Sequence, residues 1–220
     1  MIIKVCGVRT AEVAEAAVRA GADWIGLVFA AASPRYADDA AAMAVRAAVA
    51  GRADLVGVFV EPTAALCNRI ADRYSLAAVQ LHGAIDPQIV VAITSPVIRG
   101  INVASASEAF TYQWWPDGTI LLDAAPEPGG LPGGTGREVD LAVAAELVRH
   151  RRIMLAGGLR PDTVGAAVAA VRPWGVDASS GLETTPGVKD PGRVARYVAA
   201  ARAAADRVPG SPIATKGDDG

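Results

Sequence analysis

The sequence predicts an α/β fold, a single compact (β/α)8 TIM barrel spanning residues 1–207, and three observations point to it. Short runs rich in Val, Ile and Leu alternate with Ala-rich stretches of helical period from the first residue to about Arg207. There are eight such runs, and most are apolar throughout, as parallel strands covered on both faces are, where half-exposed strands would alternate. Polar and glycine residues gather at the C-terminal ends of these runs, where a barrel of this kind carries its active site.

In chain order the strands are expected at Ile2–Cys6, Trp24–Phe29, Leu55–Val60, Ala77–Leu81, Pro96–Val103, Ile120–Asp123, Ile153–Ala156 and Gly175–Ala178. Thr10 is placed to cap a first helix whose apolar face is Val13, Ala17 and Val18, with Gly21 to end it. Thr63 precedes Leu66, Cys67 and Ile70 in the same manner. Pro161 suits the first turn of a helix carrying Val164, Val168 and Val171, and a last helix from Pro191 to Arg207 buries Val194, Tyr197, Val198 and Ala201. The fifth unit, Ala104 to Trp115, is expected to hold a short or irregular helix. An open doubly wound sheet is the alternative, but it would favour a Gly-x-Gly-x-x-Gly turn after the first strand, where Cys6-Gly7-Val8-Arg9 stands. The stretch from about residue 208, with PGSPIATKGDDG at its end, has little to bury and is expected to be a disordered tail.

Composition narrows the ligand. The 21 Lys and Arg nearly balance the 23 Asp and Glu of the 220 residues, and no basic block or aromatic–arginine interleaving appears. That argues against nucleic acid or an anionic membrane as partner and favours a small molecule. The opening MIIKVCG lacks the long apolar core and cleavage site of a signal peptide, so a cytoplasmic protein is expected. Cys6 and Cys67 are far apart and lack metal-ligand spacing, so neither a disulfide framework nor a zinc site is suggested.

At the strand ends, Gly157-Gly158 after strand seven and Ser179-Ser180-Gly181 after strand eight are the clearest chemical signal. Glycine lets the backbone approach an anion, and N–H groups at helix starts donate to it, so these loops read as a phosphate site; a tight turn and a plain cap are the alternative. Asp123 closes the apolar run Ile120-Leu121-Leu122, where desolvation would raise its pKa and suit it as a general acid; it would otherwise be an ionised cap of the following loop.

Cys6 reads either as a small buried apolar residue or as a reactive thiol. Lys4 bears on the choice, because residues two apart on a strand share a face. An ammonium one layer below the thiol would lower its pKa from about 8.5, and Asp177 on the adjoining eighth strand would be its counter-charge. Arg35, introduced by Pro34, could clamp a carboxylate or be an ordinary loop arginine. His82 could be catalytic or hydrogen-bonded structure; His150, between Arg149 and Arg151, reads as solvated, and Cys67 as core. The loop GGLPGGTG, Gly129 to Gly136, is either a connection or a lid.

These stretches together resemble the phosphoribosylanthranilate isomerase family. KVCG, GADWIGLVF followed by SPRY, LVGVFV, VQLHG, LLDA, GGTG, LAGGLRPDTV and GVDASSGLETTPGVKD match it in order, from residue 4 to about 190. The resemblance implies a single (β/α)8 barrel that performs an Amadori rearrangement of a phosphorylated aminosugar in tryptophan biosynthesis, with no metal or organic cofactor, as a monomer or homodimer. It implies Cys6 as general base, Asp123 as general acid, Arg35 as contact for the anthranilate carboxylate, and the Gly157-Gly158 and Ser180-Gly181 backbones as phosphate grip. The chain departs from the family pattern after GGTG, where Val139 and Leu141 stand near expected aromatics, and at Ala178, where valine is commoner. A related barrel acting on a histidine-pathway aldosamine phosphate would carry aspartate rather than cysteine at position 6, and a barrel that only senses a ligand would have no need of Cys6 and Asp123 together.

Overall fold

The computed structural model describes residues 1–103, 118–124 and 139–208. Eight parallel strands close into a barrel in sequential order: β1 Ile2–Cys6, β2 Trp24–Val28, β3 Asp54–Val60, β4 Ala78–His82, β5 Val97–Val103, β6 Thr119–Ala124, β7 Ile153–Leu155 and β8 Gly175–Ala178. Between them lie α1 Ala11–Arg19, α2 Asp39–Val49, α3 Ala64–Tyr74, α4 Pro87–Val91, α5 Leu141–Leu147 and α6 Val164–Val171, and α7 Pro191–Arg207 ends the described chain. The expected fifth helical unit, the Gly129–Gly136 loop and the tail from Pro209 lie outside the described residues.

Period-two alternation divides each strand between two cores. Outward residues such as Ile3, Val5, Ile25, Leu27, Val79, Leu81, Leu122, Ile153 and Val176 are buried beneath the helices in one continuous apolar cluster. Inside the barrel the lower layer is apolar: Val56, Ala78, Ile98, Leu121 and Met154 pack over Ile2, and Trp24 and Trp174 meet edge to face there with centroids 5.4 Å apart. Above that layer the inward positions turn polar, with Lys4, Gln80, His82, Asp123 and Asp177 all buried.

The helix starts follow local chemistry. Thr10 and Thr63 each accept the N–H three residues on, and Asp38, Asp86, Asp140 and Asp190 cap α2, α4, α5 and α7 by accepting an N–H two or three residues on. Pro161 sits in a turn before α6 rather than in its first turn, because Arg160 and Thr163 bond to each other and the helix begins only at Val164. The last helix is fastened to the first strand through Arg202, which donates to the Met1 carbonyl at 3.2 Å and to Asp23 at 2.8 Å, while Asp23 accepts the Ile3 N–H at 2.7 Å.

After β8 the chain makes a 3-10 turn, Ser180–Leu182, and a small antiparallel hairpin, β9 Glu183–Thr185 with β10 Val188–Lys189. Its turn seats against the loop after β2: a Cβ on Gly187 would lie 2.3 Å from the Pro34 carbonyl oxygen, and its φ of +84° favours glycine besides.

Candidate active site

A cavity of about 390 Å³ opens at the C-terminal end of the barrel, and Cys6, Arg35, His82, Asp123, Gly157, Gly158, Asp177, Ser180 and Gly181 all line it. Cys6 ends β1 and Asp123 lies near the end of β6, two strands that are not neighbours, so their side chains reach the space from different walls. Both are buried, 6% and 4% exposed. The cysteine has room because its strand partner is Gly26: a Cβ there would lie 2.8 Å from Sγ. One oxygen of Asp123 accepts the Ala124 N–H at 2.8 Å.

Beneath Cys6, Lys4 Nζ donates to Asp177 Oδ2 at 3.0 Å, across the register that pairs these residues on β1 and β8. The pair is almost completely enclosed. Burial works against the Lys4 charge, but Asp177 and then Cys6 favour it more, and its pKa stands above the ordinary lysine value. For Cys6 the balance runs the other way. Burial pushes the thiol up, Lys4 pulls it down, Asp177 pushes it up again, and the outcome is a raised pKa. The expectation that Lys4 holds Cys6 below its free value is therefore corrected: the lysine moves the thiol in the expected direction, but desolvation of a sulfur anion outweighs it.

Gly157 and Gly158 carry successive positive φ angles of 79° and 65°, a bend that only glycine adopts without strain. Gly181 is pressed against this loop, since a Cβ on it would lie 2.1 Å from the Leu159 carbonyl oxygen. The two glycine loops thus form one continuous wall of backbone at the cavity's edge.

Arg35 lies across the mouth with its guanidinium engaged. Nε and Nη2 donate to Glu183 Oε1 and Oε2 at 2.7 and 2.9 Å, and Lys189 Nζ approaches the same Oε1 at 2.7 Å. Burial alone would raise the Glu183 pKa, but Arg35 and Lys189 hold it down at about 2. On β4, Gln80 Nε2 lies 2.7 Å from His82 Nε2, and the ring lies over Gly100, where a Cβ would come within 2.4 Å. Burial, and then the charges of Lys4 and Arg99, push His82 down to about 4. It is neutral at pH 7 and is not a proton carrier there.

The chain matches the family model for N-(5'phosphoribosyl)anthranilate (PRA) isomerase over residues 3–200. This chain belongs to that family. An N-(5'-phosphoribosyl)anthranilate isomerase of Roseiflexus castenholzii is 43% identical over 214 residues, covering 93% of this chain and all of that protein. The structure of phosphoribosyl anthranilate isomerase from Thermotoga maritima superposes with a TM-score of 0.83 at 31% identity, covering 92% of this chain and all of that one. A structure of phosphoribosyl anthranilate isomerase in complex with reduced 1-(o-carboxyphenylamino)-1-deoxyribulose 5-phosphate superposes at 0.81 and 29% identity, with 92% of this chain and all of that one covered.

All ten residues singled out from sequence gather at this barrel end. Lys4 is the deepest, wholly enclosed in the layer beneath Cys6, and His82 and Asp177 stand in the wall as neutral imidazole and lysine counter-charge. Sequence reasoning missed Glu183 and Lys189, which enter through the hairpin, and Gln80, which orients His82. It also passed over Gly26 and Gly100, whose signal was present: a glycine inside an apolar strand marks a close approach, here of Cys6 and His82.

Proposed function

We propose that this protein is an isomerase that converts N-(5-phosphoribosyl)anthranilate to 1-(o-carboxyphenylamino)-1-deoxyribulose 5-phosphate in tryptophan biosynthesis, acting in the cytoplasm as a monomer or homodimer. The observation that carries the assignment of roles is that Cys6 and Asp123, from non-adjacent strands, line one cavity whose rim holds both a glycine-loop wall and an arginine.

In this reading Asp123 protonates the furanose ring oxygen and the sugar opens to an iminium. Cys6, as thiolate, removes the proton from the adjacent ribose carbon, giving an enolamine that relaxes to the ketone. No redox partner enters, because the carbon that loses a proton and the carbon that gains one belong to the same substrate. The phosphate lies against the backbone of Gly157, Gly158, Ser180 and Gly181, and Arg35 faces the anthranilate carboxylate, so the two charged ends stretch the ribose between acid and base. The working form of Cys6 is its minority state at neutral pH, and Lys4 supports that form from below while Asp177 keeps Lys4 charged.

Freshly prepared phosphoribosylanthranilate tests the reading. The purified protein accelerates the decay of substrate fluorescence far beyond the spontaneous rate, and Cys6→Ala and Asp123→Ala each lower turnover by orders of magnitude while remaining folded. Decay no faster than spontaneous with the wild type overturns it.

A further inference from the structure

Glu183 and Lys189 are buried charges bonded to Arg35 and Ser179, two residues that line the cavity, and the acid–base chemistry above uses neither. Glu183 is held ionised far below neutrality, so it is not an acid or a base in the reaction. Its surroundings point to another task. A guanidinium has five N–H donors, and Glu183 takes two of them along the Nε–Nη2 edge, which leaves the outer Nη1–Nη2 edge for a second carboxylate. Lys189 Nζ holds Glu183 from the other side at 2.7 Å and reaches the Ser179 carbonyl oxygen at 3.2 Å and Ser179 Oγ at 3.3 Å. Ser179 is the residue that opens the Ser180–Gly181 turn. One chain of charged contacts, Arg35 to Glu183 to Lys189 to Ser179, therefore joins the rim arginine to the glycine-loop wall. The stem of Arg35 is confined as well: a Cβ on Gly7 would lie 2.8 Å from its Cδ.

We propose that Glu183 is a positioning residue that holds the inner edge of Arg35 so that its outer edge meets the substrate carboxylate, and that Lys189 fixes this clamp at a set distance from the phosphate grip. The proposal rests on the reading of Arg35 as the carboxylate contact. An arginine without such a partner samples many rotamers, and the substrate must then order it on binding. With Glu183 in place that ordering is done beforehand, and the device selects substrates that carry both an anionic ring substituent and a phosphate at the right separation.

The test uses the full chain as wild type, Arg35→Met, Glu183→Gln and the double variant, each with the anthranilate substrate and with the phosphoribosyl derivative of aniline, which lacks the carboxylate. Glutamine keeps the length of the side chain but offers one acceptor where three donors converge. Glu183→Gln lowers kcat/KM on the anthranilate substrate by about 10- to 100-fold, chiefly through KM, since the carboxylate is bound in ground and transition states alike. On the aniline substrate its effect stays within about threefold, and added to Arg35→Met it costs no more than about threefold on either substrate, because it acts through that arginine. An equal loss on both substrates, a full additional loss in the Arg35→Met background, or no loss at all overturns the proposal. Arg35→Met separates the underlying reading: if it penalises both substrates alike, that reading falls and the proposal with it; if it penalises only the anthranilate substrate while Glu183→Gln does not, the proposal alone fails. Should Glu183→Gln fail to fold, with Arg35 and Lys189 left facing without their anion, the charge-balanced pair Glu183→Gln, Lys189→Met carries the same comparison, and the ratio of the two substrates cancels any effect on the acid–base pair.

Discussion

Replacing Lys4 by methionine separates what the buried ion pair does for the fold from what it does for Cys6. Lys4 is wholly enclosed, and its ammonium lies 3.0 Å from Asp177, whose side chain is 7% exposed. Methionine fills nearly the same volume, so the loss is electrostatic: Asp177 is left as a buried carboxylate without its cation. Breaking such a pair from one side costs about 3–5 kcal/mol, about 10 °C in Tm for a domain of this size. Changing Asp177→Asn as well removes the orphaned charge, and most of that stability returns, as urea unfolding at pH 7 would measure. The thiol behaves differently. After burial, Lys4 is the largest influence on Cys6 and lowers its pKa, whereas Asp177 raises it by less. Removing both therefore leaves Cys6 harder to ionise than in the wild type. The double variant is expected to be nearly as stable as the wild type, yet to gain activity only at higher pH, seen both in kcat/KM against pH and in thiolate absorbance at 240 nm. A double variant of restored stability whose activity rises at the wild-type pH would refute the role given to Lys4.

Other consequences follow from the same geometry. Glu183, held at about 2 against an ordinary 4.5, gives stability that is complete above about pH 5 and lost as pH falls toward 2; the difference is about 3 kcal/mol at most, and Glu183→Gln should flatten acid unfolding across that window. Gly181→Ala would press a methyl to within 2.1 Å of the Leu159 carbonyl oxygen, so the loops must part; inhibition by inorganic phosphate should weaken by about tenfold or more, and unchanged inhibition would detach these loops from phosphate. Asp140→Ala removes an acceptor 2.8 Å from the Ala142 N–H at the start of α5 and should cost about 1 kcal/mol in urea unfolding, with kcat unaltered.

The strands were legible because parallel strands buried on both faces leave continuous apolar runs, and those runs lie within one residue of the observed elements. The ends differ where pairing decides them: His82 extends β4 because Val60 of the neighbouring strand pairs with it, and no local signal says so. The Lys4–Asp177 pair was legible from closure alone, since a closed barrel lays the eighth strand beside the first and period two puts both side chains inside. The sign of the Cys6 shift was not, because it depends on how far burial desolvates the sulfur, which the strand pattern does not carry. Glu183 was hidden for a different reason. It lies 148 residues from Arg35, and only the fold of the hairpin over the loop after β2 brings the two together. The stretch GLETTPGVKD supported the family resemblance as a string, and Glu183 and Lys189 within it acquired a task only in three dimensions.

The division of labour between Cys6 and Asp123 is tested most directly by an isotope effect. Substrate carrying deuterium on the ribose carbon next to the iminium is turned over by wild type, Cys6→Ser and Asp123→Asn, and the fluorescence decay is compared with that of ordinary substrate. With the base weakened, proton abstraction limits the rate and Cys6→Ser expresses a full primary effect; with the acid weakened, ring opening limits it and Asp123→Asn shows almost none. The reverse pattern, or equal effects in both variants, would contradict the assignment of Cys6 as base and Asp123 as acid.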